Sequence, residues 1–66
     1  MTPDDVAKDV ERIKGMARDD EMAHSEEDAL HQAVLRAIAA GDTADAPALA
    51  HTALLTLEIR FARWCA

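Results

Sequence analysis

The stretch from Asp19 to His31, DDEMAHSEEDALH, holds six acids and two histidines within thirteen residues. Twice a carboxylate stands three residues before a histidine: Glu21 before His24, and Asp28 before His31. On a helix that spacing places the members of each pair one turn apart on the same face. Carboxylate and imidazole groups together suit zinc and other transition metals, so Glu21, His24, Asp28 and His31 are the metal-ligating candidates. Bundles that hold two metal ions use the same spacing but add carboxylates from facing helices. The third segment of this chain adds only His51 and Glu58, so a full site would draw on several copies. The preferred reading is therefore that no metal or other cofactor is held, with both histidines solvated or hydrogen-bonded. A histidine packed among Asp20, Glu27 and Asp28 would favour its charged form, and such a group can report on pH. The same tract can also act as an acidic surface of Asp19, Asp20, Glu21, Glu26, Glu27 and Asp28.

Other chemistry is absent from the pattern. There is no glycine-rich phosphate loop, no CxxC, no HExxH and no serine in a nucleophile-elbow setting. Cys65 is the sole cysteine, which excludes an intrachain disulfide and suits a reducing cytoplasm. Nothing basic surrounds it closely enough to suggest an activated thiolate. Thirteen acids against seven bases give a net charge of −6, opposite to the basic footprint that phosphate-backbone binding needs. No secretory pattern opens the chain, and its apolar stretches are far shorter than a membrane span. These features argue against an enzyme, a direct nucleic-acid binder or a membrane protein, and point to the cytoplasm.

The elements that must position the tract are helical. Alanine supplies much of the apolar content, with one Phe, one Trp and no Tyr, and Ala, Leu, Glu, Arg and Met favour helix. Thr2-Pro3-Asp4-Asp5 has the form of a helix start, with a capping threonine, an early proline and an acid three residues on. Val6, Val10, Ile13 and Ala17 follow at spacings of 4, 3 and 4, one narrow apolar seam. Leu30, Ala33, Val34, Ala37 and Ile38 make a broader face in the second segment. Gly41 stands where a helix C-terminus is closed, Asp45 can cap the next helix, and Pro47 fits its first turn.

Whether the first two segments are one helix turns on the acidic tract. Extending the first seam gives Asp20, His24, Glu27, His31, Val34 and Ile38 at unbroken heptad spacing. Against continuity, Ser25 followed by Glu26, Glu27 and Asp28 has the form of a capping box with acids in the first turn. The apolar faces before and after the tract also differ by roughly 120° on a straight helix. A break near His24 and Ser25 is the favoured reading, with one long kinked helix as the alternative.

The stretch 19–41, DDEMAHSEEDALHQAVLRAIAAG, with 57–66, LEIRFARWCA, resembles small proteins of actinobacteria and their phages. That group shares a DDE-x-AH-x-x-ED-x-L…IA-x-G stretch and an FARWCA-like end. The resemblance covers about half the chain and implies a cytoplasmic, phage-encoded protein. It carries no catalytic or binding residue with it.

The sequence thus predicts a single all-α domain over 1–66, a three-helix bundle with helices at about 3–22, 25–40 and 46–64. The third helix is apolar on two flanks, one through Ala50, Ala53, Leu54, Leu57, Phe61, Trp64 and Cys65, the other through Leu55, Ile59 and Ala62. A helix apolar on two flanks usually lies between two neighbours, so Leu54, Leu55, Leu57, Ile59, Phe61 and Trp64 are the interface candidates. Three functions follow in order of preference. The first is a non-enzymatic interaction protein that forms a homo-oligomer, a dimer before other states. The second is an acidic surface that binds a basic host protein or imitates nucleic-acid charge, and the third a metal-binding helical protein.

Overall fold

A computed structural model describes residues 1–63. Three helices pack against one another without strands among the described residues: α1 (Pro3–Gly15), α2 (Asp20–Ala39) and α3 (Ala46–Ala53). A 3-10 turn, Leu54–Glu58, follows α3 directly, and residues 59–63 form a non-helical strap. The all-α three-helix architecture is therefore as the sequence predicts. No helix of the described residues is long and apolar enough to cross a membrane.

Each helix begins on a local signal. The Thr2 hydroxyl accepts from the Asp5 N–H at 3.2 Å while the Asp5 carboxylate accepts from the Thr2 N–H at 2.9 Å, a reciprocal box that satisfies two otherwise orphaned donors. These bonds hold the Asp5 carboxyl below its ordinary pKa, the Thr2 N–H contributing most. The Asp45 carboxylate accepts from the Ala48 N–H at 3.0 Å and starts α3. At the end of α2, Gly41 adopts φ +71°. Its N–H donates to the Ile38 carbonyl and that of Asp42 to the Ala37 carbonyl, the paired closure that needs a left-handed residue after the cap.

The first boundary differs from the favoured reading. The break lies at Met16–Asp19, not at His24 and Ser25, and the first two segments are two helices rather than one kinked helix. Asp19 caps α2 by accepting from the Met22 N–H at 3.0 Å, with Asp20 and Glu21 in the first turn. Ser25 lies in mid-helix, exposed, and makes no box. Both sites carry a capping residue followed by acids, so local chemistry does not separate them. Turning at Met16–Asp19 lets the α1 seam and an α2 stripe of Ala23, Glu27, Leu30 and Val34 reach one core.

The third segment also departs from expectation. Its helix does not run from 46 to 64: α3 stops at Ala53, and residues 64–66, with Trp64 and Cys65, lie outside the described residues. Leu49, Ala53, Thr56 and Ile59 face inward, all buried. Their spacing of 4, 3, 3 is that of an α-helical turn followed by three-residue 3-10 turns. This register turns Leu54, Leu55 and Leu57 outward and draws Ile59 into the core. The core comprises Val6, Val10 and Ile13 of α1, the apolar members of the α2 stripe, and Leu49, Ala53 and Ile59, with Met16, Ala17, Ala37, Ile38 and Phe61 at its edge.

Candidate functional site

Because α2 runs unbroken through the acidic tract, Asp20, His24, Glu27 and His31 share one face, and the third segment packs on that face. Glu27 is only 3% exposed, a carboxylate at a core position. It is met by Arg63 of the strap in a two-pronged contact: Nε donates to Oε1 at 2.8 Å and Nη2 to Oε2 at 2.9 Å. Such fork-to-fork pairing is the strongest geometry open to these groups. Arg63 Nη2 also donates to the carbonyls of Thr56 at 2.9 Å and Ile59 at 3.1 Å, and Nη1 to that of Phe61 at 3.3 Å. Its guanidinium carbon stands 3.9 Å from the centre of the Phe61 ring, a cation–π contact. Arg63 thus folds the strap around itself while docking it on α2.

Burial pushes the Glu27 carboxyl up, but the hydrogen bonds and the charge of Arg63 outweigh it and leave the pKa below its ordinary value. The reciprocal bond to Glu27 raises that of Arg63. The pair is therefore ionised at neutral pH.

Two further contacts lie on the same face. Near the start of α2, the Asp20 carboxylate accepts from the Ala62 N–H at 3.0 Å. One turn beyond Glu27, His31 Nε2 lies 2.9 Å from the Thr56 hydroxyl oxygen and 3.3 Å from the Ala53 carbonyl. A carbonyl only accepts, so bonding to Ala53 assigns the hydrogen to Nε2. The Thr56 hydroxyl in turn donates to the Ala53 carbonyl at 3.2 Å. These bonds explain a threonine at a fully buried position, since an unpaired buried hydroxyl is costly. A histidine beside a hydroxyl and a glutamate is also the composition of a nucleophilic triad. Thr56 is 0% exposed, however, so its oxygen is covered in this structure.

The sequence candidates separate on this frame. Of the metal-ligating four, His24 meets Asp28 at 3.5 Å while His31 is engaged with Thr56. Among the described residues no three His, Cys, Asp or Glu side chains converge as a metal would require. Nδ1 of His24 is buried without a hydrogen-bond partner among the described residues. The six acids do not make one acidic surface either: Glu27 is internal, Asp20 is half-buried under the strap, and Glu26 is tied to Arg12 of α1 at 2.6 Å. Asp19, Glu21 and Asp28 remain exposed.

Of the interface candidates, Leu54, Leu55 and Leu57 are exposed, whereas Ile59 is covered within the chain and Phe61 is half-buried against the core. Three residues of the third segment have roles that its helical pattern does not assign. Leu49 is a fully buried anchor, Thr56 holds His31, and Arg63 binds Glu27. The 4-3-3 spacing from Leu49 to Ile59 was the available signal, interrupted by the polar Thr56.

On the far side of His31, Leu35 and Leu54 border a shallow apolar depression lined also by Val34, Ala50 and Ala53. Fold and site together define a small all-α domain whose third helix ends in a strap clamped to an acid–histidine face. No family model, curated protein or solved structure matches the chain.

Proposed function

We propose that this is a non-enzymatic helical interaction protein that self-associates as a dimer through the patch around Leu35 and Leu54. The observation that carries this reading is the exposure of the two leucines, 65% and 55%, at the borders of the Val34–Ala50–Ala53 depression. Projecting side chains and a small-residue floor on one patch are what a two-fold contact between identical surfaces requires. The patch carries no carboxylate, so two copies can meet there without opposing the acids that give each a net charge of −6. The resemblance to actinophage proteins supports a phage-encoded protein in the host cytoplasm.

Light scattering at micromolar concentration tests the reading. The wild type is expected at twice the 7.2 kDa chain mass, and Leu35→Glu at the single-chain mass with unchanged helicity. A wild type that stays monomeric into the high micromolar range would refute it.

A further inference from the structure

Residues 54–63 are folded against their own pattern. From Ala48 to Arg63 there is no glycine and no proline, and Ala, Leu, Glu and Arg dominate, all good helix formers. Yet α3 stops at Ala53, five residues continue as a 3-10 turn, and Ile59 turns out to an extended backbone at φ −80°, ψ 130°. Runs of 3-10 longer than three or four residues are uncommon, even at helix ends, where short 3-10 turns are frequent. This one leaves Leu54, Leu55 and Leu57 in water. Apolar contacts of Ile59 and Phe61 and the bond between Thr56 and His31 help hold the non-helical path, and further polar anchoring is gathered at the strap's end. There Arg63 grips Glu27 and the carbonyls of Thr56 and Ile59, and Asp20 takes the Ala62 N–H. Local preference and tertiary anchoring disagree here, whereas they agree through most of a natural fold.

We infer that residues 54–63 are a conformational switch, latched as turn and strap by the Arg63–Glu27 contact and rewinding on release into a continuation of α3. Rewound at 100° per residue, Ala50, Leu54, Leu57 and Phe61 fall on one stripe at spacings of 4, 3 and 4. The leucines scattered outward by the 3-10 register become a seam, and its occupant is the same seam of a second copy. Packing two such stripes covers Phe61, which leaves the core on opening, while Ile59, which leaves it too, comes to lie on the opposite side of the helix. The switch stands on the backbone path and the latch alone. Only the identity of the occupant rests on the self-association proposed above.

Backbone 13Cα shifts of Arg63→Gln read the switch. Residues 54–62 are expected to move to helical values while Val6, Val10 and Leu30 keep wild-type shifts. Adding Arg60→Pro is expected to reverse the change: a proline needs an extended residue before it, which Ile59 already is, and it cannot continue a helix. A strap that stays extended or turns to coil in Arg63→Gln, with the α1–α2 shifts preserved, overturns the switch. If that variant loses its fold, relaxation dispersion on the wild type decides. A minor state with helical shifts at Leu57, Ile59 and Phe61, absent from Arg60→Pro, supports the switch, and flat dispersion overturns it. Light scattering on folded Arg63→Gln separates the two claims. Helical shifts at the single-chain mass remove the second copy as occupant and leave the switch, whereas a dimer without helical shifts removes the switch and leaves self-association.

Discussion

Arg63 reaches across 36 positions of sequence to Glu27 and meets both carboxylate oxygens, Nε to Oε1 at 2.8 Å and Nη2 to Oε2 at 2.9 Å. Glu27 occupies a core position on α2, between Ala23 and Leu30, where an aliphatic side chain would be ordinary. Without its partner it would be a desolvated charge. With it, the carboxylate closes the bundle by holding the strap over α2, and the acid–histidine tract becomes a docking face for the chain's own third segment.

The latch makes stability depend on acid pH in a definite direction. The Glu27 pKa is depressed in the folded chain, so its contribution is complete above the unfolded value of about 4.3 and is lost as pH falls through the lower folded value. Urea midpoints of wild type and Glu27→Gln are expected to differ by a constant amount from pH 7 to about pH 5 and to converge below it. A gap independent of pH down to 3 would show that the carboxylate is not held in its charged form.

The start of α2 is tested by a pair of alanines. Asp19→Ala removes the side chain that caps the helix and is expected to lower stability by about 1 kcal/mol. Ser25→Ala exchanges an exposed mid-helix residue for a better helix former and is expected to raise stability by roughly 0.5 kcal/mol. Chemical denaturation reads both, and the opposite ranking would return the helix start to Ser25.

The register of the third segment is tested in the same way. Leu49 is fully buried and Leu57 is 57% exposed. Leu49→Ala is expected to cost about 3 kcal/mol through lost burial and the cavity left behind. Leu57→Ala is expected to cost within about 0.5 kcal/mol, as surface changes do. Had the α-helix continued to the strap's end, Leu57 would lie on the same face as Ala53 and the second cost would approach the first.

Much of this fold is readable locally. The Thr2–Asp5 box, Gly41 and Asp45 mark three helix ends by chemistry within a few residues, and Val6, Val10 and Ile13 form the α1 core that their spacing implies. Asp19 and Ser25 are equivalent as local signals, and the choice between them depends on which turn brings two apolar stripes to one core. The fate of residues 54–63 depends on a partner 36 positions away, which helical periodicity cannot register. Of the acidic tract, the sequence shows that Asp20, His24, Glu27 and His31 align if the helix is continuous. What meets that face, an arginine, a backbone amide and a threonine, lies in a segment whose own pattern suggests a different shape.

Glu27 and Arg63 hold the strap by acting on each other. The decisive measurement is a double-mutant cycle of Glu27→Gln, Arg63→Gln and the pair by urea denaturation at pH 7. Each single change leaves a charge without its partner, so a coupling energy of about 2 kcal/mol is expected, with the double variant more stable than additivity allows. Additive costs, with coupling below about 0.5 kcal/mol, would contradict it.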